Sequence, residues 1–239
     1  MQKITDFSLR NFKAFKETVS LPIRPITVLT GLNSHGKSSI IDALLLLKQT
    51  LLSEKRTAER RVLLLDGPFF QVDQFEEMLH NRIGEDDSGF TLGFRIPYDT
   101  HNRLILNTNS PDRYIQTDFN FSLVDKDRPK IVSRVVLSAC LNITQKPFSQ
   151  IEIHENPDNY DEAAVKVLIS SSEVNTDSYS NFFKFSYFLP VWEIDFSKGE
   201  VPPELFLNLF LASRASFQPA IKTIEQELIW NIKYVGPLR

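Results

Sequence analysis

The sequence has one cysteine, few glycines and no long apolar run. With a single thiol, Cys140, no internal disulfide can form and no metal site can be assembled from cysteines. This cysteine usage is typical of a reducing compartment, so we expect a cytoplasmic protein. The longest apolar run, residues 43–47, is too short to cross a bilayer, and the first residues do not resemble a secretion signal. We therefore expect no membrane partner.

The chain also lacks an excess of positive charge. It carries 27 Lys and Arg against 30 Asp and Glu, which gives a formal net charge of −3 and a pI of about 5.9. Coating of duplex DNA by bulk charge is therefore excluded, whereas a local basic patch is compatible with these numbers. Hydrophobic residues make up 42% of the 239 positions. That is enough apolar surface for a sizeable core, which excludes wholesale disorder.

Two of the eight glycines delimit the motif that carries recognisable chemistry. The pattern G-x-x-x-x-G-K-[ST] is matched by Gly31-Leu32-Asn33-Ser34-His35-Gly36-Lys37-Ser38. Residues 26–30 before it are apolar and β-branched, which predicts a buried central strand. Residues 37–52 after it predict a helix whose middle is apolar almost all round and therefore lies in the core. A strand before and a helix after are the context that a Walker A phosphate-binding loop requires.

Each position of this loop has an expected role in binding ATP. Gly31 and Gly36 let the backbone curl without a Cβ in the way, so that successive N–H groups can point at phosphate oxygens. We expect Lys37 to be the catalytic cation, with its ammonium on the β- and γ-phosphates, and the Ser38 hydroxyl to ligate Mg²⁺. For His35 we expect the backbone N–H to matter rather than the imidazole. The expected ATP-binding positions of the loop are Gly31, Asn33, Ser34, His35, Gly36, Lys37, Ser38 and Ser39.

The rest of the pattern predicts one α/β domain in three parts, with a P-loop NTPase core and a mixed sheet around the P-loop helix. Residues 1–89 form the P-loop core and residues 90–170 an antiparallel meander of about six strands. Residues 171–239 form a mixed segment with helices over 204–212 and 219–230 and a closing strand. The predicted strands of the meander are residues 90–96, 103–106, 114–124, 131–144, 150–154 and 165–169.

A carboxylate that could hold Mg²⁺ and orient water is not evident. Such a residue usually ends a second apolar strand and is followed by Glu. Residues 62–65 lead into Asp66, but Gly67 follows, and a core strand that ends in a turn is the favoured interpretation. Residues 191–194, which precede Asp195, match less well. No LSGG-like signature occurs in the sequence.

Several stretches resemble one group of ATPases. Residues 4–13, Ile-Thr-Asp-Phe-Ser-Leu-Arg-Asn-Phe-Lys, are similar to the opening strand of ABC-type ATPases of the SMC, RecF and OLD group, written L-x-N-F-[KR]. Residues 31–44 resemble that group's G-x-N-x-x-G-K-S-[ST]-[IL]-[IL]-x-A-[IL]. Residues 46–51 and 234–239 resemble a narrower set of bacterial AAA-family ATPases, which includes anti-phage ATPases of the Septu type. The resemblance is specific at the two ends of the chain and loose in the middle.

The resemblance implies a fold and a mode of action. The fold is the first lobe of an ABC-type head, and two heads sandwich two ATP molecules, so that ATP drives a head-to-head homo-oligomer. The dimer would control an effector nuclease chain or DNA in phage defence or repair, by analogy of fold. Arg10, Asn11 and Lys13 would lie near the adenine or the phosphates, although a polar strand edge explains them equally well.

The same resemblance suggests what is missing. Relatives continue after the Gly-Pro-Leu-Arg segment into the signature motif, Walker B and a His switch, so we expect this chain to be the N-terminal part of such an ATPase. Hydrolysis would then require sequence or a partner that carries those motifs. An exposed sheet edge and an exposed apolar surface are expected where the missing part belongs.

Two other functions stay open at this stage. One is a self-sufficient P-loop kinase or GTPase that uses Asp66 to hold the metal. The other is a non-enzymatic module that acts through protein contacts.

Overall fold

An antiparallel sheet forms the framework of the fold. The computed structural model describes residues 3–32, 36–53, 63–80, 89–97, 113–122, 131–141, 147–155, 163–169, 172–176, 183–192 and 217–234. Within these ranges the strands of the sheet are β1 Asp6–Arg10, β2 Val19–Pro22, β3 Gly89–Pro97, β4 Arg113–Ser122, β5 Ile131–Leu141, β6 Pro147–Glu155, β7 Ala163–Ile169 and β8 Ser172–Thr176. Their order across the sheet is β2-β1-β3-β4-β5-β6-β7-β8, and every neighbouring pair is antiparallel.

The other elements are a hairpin and two helices. The hairpin joins β9, Phe183–Ser186, to β10, Leu189–Trp192. Helix α1, Lys37–Leu51, follows the glycine loop as predicted, and a 3-10 turn forms at Phe75–Met78. Helix α2, Gln218–Gln226, continues into a π-helical turn over residues 227–231 and confirms the second predicted C-terminal helix.

The predicted meander is confirmed, since β3 to β8 run consecutively and antiparallel through the sheet. Strand β8 has no counterpart among the predicted segments, and the segment predicted at 103–106 lies outside the described residues. The helix predicted at 204–212 also lies outside them. Residues 232–234 form no strand, and the remainder of the predicted closing strand is not among the described residues.

The prediction of a buried central strand before the P-loop is wrong for the described structure. Residues 26–30 form no strand, and the side chains of Ile26 and Val28 are 84% and 74% exposed. A strand buried on both faces needs neighbours on both sides, and no described segment pairs with these residues. For the same reason the described sheet is antiparallel throughout, rather than mixed as expected.

The inner face of the sheet carries the core, which is unusually rich in Phe. Alternate side chains of β1, β3, β4, β5 and β6 are buried in one cluster with the apolar residues of α1 and α2. At its centre the Phe90 ring lies 5.1 Å from Phe12, 5.4 Å from Phe75 and 5.1 Å from Phe121, measured between ring centroids. Aromatic contacts of this kind join the turn after β1, the 3-10 turn, β3 and β4 into one packed unit.

Phe90→Ala tests this aromatic centre. Because the substitution removes three ring contacts and leaves a cavity, we expect it to lower the free energy of unfolding by about 3–5 kcal/mol. Urea denaturation followed by circular dichroism measures the change. Phe69→Ala is the matched control, since Phe69 is 37% exposed, and it should cost much less. Equal losses in the two variants would contradict a core centred on Phe90.

The outer face of the sheet is polar and holds an aspartate in a confined position. The Asp118 carboxyl and the Ser8 hydroxyl lie over Gly93, where the Cβ of any other residue would collide with both. Gln116 Nε2 donates a hydrogen bond to Asp118 Oδ1 at 2.8 Å. Burial raises the pKa of Asp118 above its usual range, although this hydrogen bond and the guanidinium groups of Arg134 and Arg95 act in the opposite direction.

Asp118→Asn should therefore change how stability depends on pH. With a raised pKa, the folded state holds the Asp118 proton more tightly than the unfolded chain does, so its contribution is present below about pH 4 and is lost as the pH rises through the folded pKa. We expect the variant to melt at a higher temperature than the wild type at pH 7, with the difference shrinking below about pH 4. Melting curves at several pH values test this. Asp73→Asn, at an exposed position, is the control. A pH-independent difference would contradict the prediction.

Candidate functional site

The candidate phosphate-binding loop leads directly into α1. Gly36 precedes the helix with a φ of 85°, and Gly31 at the other end of the motif has a φ of 145°. Side chains with a Cβ rarely adopt these values, so both glycines are required by the backbone. The middle of the motif, Asn33, Ser34 and His35, lies outside the described residues, and its role stays a prediction.

Gly36 is also packed against the turn between β1 and β2. A Cβ at this position would lie 2.5 Å from Cζ of Phe15 and 3.1 Å from Cβ of Ala14. This turn therefore closes over the start of α1 and leaves no room for a side chain there. A Cβ at Gly31, by contrast, would meet nothing within 4 Å.

Lys37 and Ser38 place polar groups at the start of α1. Lys37 Nζ donates hydrogen bonds to the carbonyl oxygens of Gly31 and Leu32, each at 2.6 Å. Among the described residues these are its acceptors, so the third ammonium hydrogen can serve a phosphate oxygen. Ser38 is exposed, whereas Ser39 is buried, and the first turn of the helix has no acidic residue. An anion at this end is therefore favoured by the helix dipole, and the first turn carries no carboxylate that would oppose it.

Lys13 brings a second cation to the same end of α1. Its Nζ donates to Oδ2 of Asp42 at 2.6 Å and lies 4.6 Å from the centre of the Phe70 ring. Asp42 follows Ser38 by four residues, and side chains with that spacing share a helix face with Cβ atoms about 5–6 Å apart. The structure therefore places Lys13 within about one helical turn of the residue expected to hold the metal.

Arg10 and Asn11 occupy different surroundings. Asn11 is buried with a φ of 52°, and its Nδ2 donates to the carbonyl of Gly89 at 2.8 Å. Its backbone N–H and C=O pair with Lys16 and His80, so Asn11 fastens the β1–β2 turn to the start of β3. Arg10 ends β1 and is exposed, and it lines a groove on the outer face of the sheet. The structure thus brings Lys13 to the P-loop helix and gives Asn11 a position that shapes the turn.

The last turn of α1 contains a buried lysine that no motif reveals. Lys48 Nζ donates hydrogen bonds to the carbonyl oxygens of Leu228, Ile229 and Ile232, at 3.1, 2.7 and 2.9 Å. These carbonyls belong to the end of the C-terminal helix, where cations are favoured by the helix dipole. Burial and the charge of Lys233 lower the pKa of Lys48. One feature of the sequence indicates this buried lysine: Lys48 follows an apolar run in a helix that is predicted to lie in the core.

Gln49 anchors a further segment to the end of α1. Its Nε2 donates to the carbonyl oxygens of Leu64 and Phe70 at 2.5 and 2.9 Å, and its Oε1 accepts from the Phe70 N–H at 2.8 Å. The Thr50 hydroxyl accepts a hydrogen bond from the Leu64 N–H at 3.0 Å. These contacts fix the loop over residues 63–71 against the helix.

Asp66 lies on this loop, and the strand considered for it is wrong. Residues 63–65 form no strand, and Asp66 makes one bridge to Gln71 and accepts a hydrogen bond from its Nε2 at 2.9 Å. The loop is fixed at Gln49, eleven residues after Ser38, which is about 16 Å along a helix axis. Among the described residues Asp66 is engaged by Gln71, and no contact joins it to Lys37 or Ser38. Asp195 lies outside the described residues.

The described residues contain no cluster of three or more His, Cys, Asp or Glu side chains that could hold a metal ion by themselves. A metal at the P-loop would therefore depend on Ser38 and on oxygens of the nucleotide. Neither of the helices in the described ranges is long and apolar enough to cross a membrane.

This loop and helix define a P-loop nucleotide-binding protein. The comparison with protein families agrees: the family described as AAA ATPase domain matches residues 2–187, which is most of the chain. The chain belongs to this family, and it is an ATP-binding ATPase domain. No curated protein matches it.

Alanine substitutions at the two motif glycines distinguish backbone strain, which both positions have, from a steric clash, which only Gly36 has. Gly36→Ala combines an unfavourable φ with a clash against Phe15, so we expect it to lower the free energy of unfolding by about 1–3 kcal/mol and to weaken ATP binding. Gly31→Ala meets open space and should show the smaller loss of stability. Chemical denaturation and binding of a fluorescent ATP analogue measure both effects. A Gly36→Ala protein as stable as the wild type would show that the turn does not close on the loop.

Proposed function

We propose that this domain is the nucleotide-binding half-site of an ATPase head, which ATP and Mg²⁺ bring together with a second head. The observation that carries the proposal is the P-loop end of α1. There the helix start and Lys37 place positive charge beside an exposed Ser38, and Lys13, paired with Asp42, lies within about one helical turn. A triphosphate needs this kind of charge, because its oxygens carry several negative charges in a small volume.

The residues present fit a magnesium–ATP complex. The φ of 85° at Gly36 lets the backbone turn into the helix, and Ser38 is exposed at the helix start, where its hydroxyl could serve as an oxygen ligand. When bound, Mg²⁺ would neutralise charge on the β- and γ-phosphates. Lys37 orients the terminal phosphate through its remaining ammonium hydrogen. Lys13 would either leave Asp42 and bind a phosphate oxygen, or stay paired and stabilise the phosphate charge electrostatically.

The exposed apolar segment before the loop supports assembly with a further strand. Ile26, Val28 and Leu32 are 84%, 74% and 74% exposed. Large apolar side chains exposed together are typical of surfaces that a partner covers. We propose that a strand of the assembled ATPase pairs with residues 26–30 and supplies the carboxylate that orients the attacking water. The segment enters the P-loop directly, so such a strand would end close to the phosphates.

The biological use is proposed from the resemblance. ATP-dependent dimerisation would control an effector nuclease or a DNA-associated partner, in phage defence or DNA repair, in the cytoplasm. A second candidate function, an interaction module without nucleotide chemistry, is disfavoured by the strained glycines and by the position of Lys37, since a protein contact surface requires neither.

Nucleotide binding is tested with Lys37→Ala. The variant loses the ammonium that faces the phosphates, so we expect its affinity for a fluorescent ATP analogue with Mg²⁺ to fall at least about tenfold. Lys222→Ala, an exposed lysine on α2, is the control and should bind as the wild type does. Equal affinity for the ATP analogue in the wild type and Lys37→Ala would show that the P-loop does not bind the nucleotide.

Dimerisation is measured on the same proteins by sedimentation velocity. We expect a larger species with a non-hydrolysable ATP analogue and Mg²⁺, and none with ADP or with Lys37→Ala. Val28→Asp should keep the monomer folded, because the side chain is exposed, but should prevent assembly if residues 26–30 are covered there. A monomer under all nucleotide conditions, with intact ATP binding, would reject the dimer and keep the nucleotide site.

A further inference from the structure

A polar groove crosses the outer face of the sheet, on the side that does not carry α1. Its volume is about 570 Å³, and its walls come from the first six strands of the sheet and the residues just before β2. This size is in the range of pockets that hold small molecules. The charged groups that line it are Asp6, Arg10, Arg95, Asp118 and Arg134.

One end of the groove gathers hydrogen-bond donors in a single row. The pairing register aligns Arg95 of β3 with Gln116 of β4, Ser138 of β5 and Gln150 of β6. Residues in register on one face of a sheet have neighbouring side chains, so these four polar groups lie side by side. Asp6 of β1 ends the row on the other side of Arg95.

Arg95 is an incompletely paired cation in this row. Its guanidinium lies 4.1 Å from the centre of the Tyr114 ring, and it makes no ion pair with a carboxylate of the described residues. Its Nε is buried and has no hydrogen-bond acceptor among the described residues. A buried donor without an acceptor is unfavourable, so an acceptor from outside the chain would be stabilised here.

The groups around Arg95 do not supply that acceptor. Burial raises the pKa of the Tyr114 hydroxyl and of the Cys140 thiol, so both are uncharged at neutral pH. The Asp118 carboxyl is engaged by Gln116, and at the far end of the groove Arg134 is paired with Glu152. Arg134 is therefore already balanced by Glu152, and the acceptor that Arg95 Nε lacks is not supplied by the described groups around it.

We propose that this groove binds a small molecule that carries an oxyanion, either a phosphate or a carboxylate group, with Arg95 as its anchor. The planar guanidinium offers parallel N–H donors that match such a group, and the Tyr114 ring holds it in place. Gln116, Ser138 and Gln150 would donate to the remaining oxygens or to polar groups of the ligand. The site lies on the other face of the sheet from the P-loop, so it is a second site of the domain.

The test uses the full chain with Lys37→Ala, which weakens binding at the P-loop, and the dependence on Arg95 assigns the remaining binding to the groove. Inorganic phosphate, adenosine 5′-monophosphate and citrate are titrated at constant ionic strength by calorimetry, which distinguishes a phosphate from a carboxylate ligand. We expect saturable binding of at least one probe at a single site. Addition of Arg95→Gln should weaken it at least about tenfold, and Arg95→Lys, which keeps the charge without the fork, should weaken it less.

Arg24→Gln is the matched control, because Arg24 is an exposed arginine outside the groove, and it should bind as the parent does. If Arg95→Gln does not fold, as judged by circular dichroism, Arg95→Lys and Ser138→Ala give the same test. Absence of saturable binding at millimolar probe, or equal affinity in the Arg95 and Arg24 variants, would overturn the proposal. None of these outcomes depends on ATP binding, so failure of the groove proposal and failure of the ATPase proposal can be told apart.

Discussion

Helix α1 must expose its first turn to a ligand and bury almost all the rest, and the described structure is arranged around that requirement. The helix dipole and the ammonium of Lys37 act at one end, where Ser38 is open to solvent. From the second turn onward the helix lies in a core lined by aromatic side chains from the sheet. A helix fixed so firmly keeps its exposed end rigid, which is what binding a triphosphate through backbone and side-chain donors requires.

The buried polar residues at the other end of α1 extend this fixed frame to distant parts of the chain. Lys48 holds the end of the C-terminal helix, and Gln49 holds the loop that carries Asp66. Each side chain satisfies backbone groups that would otherwise be buried without partners. The helix that begins at the P-loop therefore also positions the C-terminal segment, through the hydrogen bonds of Lys48.

Side chains alternate between the two faces of the sheet, so one face is apolar and the other is polar. Its inner face is an apolar support for the P-loop helix, and its outer face is a polar groove in which Arg95 and Asp118 are partly desolvated. The period of two along each strand makes the first face visible in the sequence, because apolar residues recur at every other position. The groove is different, since it depends on which residues of six strands come into register, and pairing between strands is not encoded in any local pattern.

Local patterns were enough to predict the glycine loop, the extent of α1 and the antiparallel meander, because each rests on local physics: backbone freedom at glycine, helical periodicity and strand alternation. The positions of Ile26 and Val28 depend on long-range contacts instead, since an apolar segment is buried only if neighbours cover it. Tertiary contacts also bring Lys13 to Asp42. Those outcomes depend on contacts between residues far apart in the chain, which no short motif specifies.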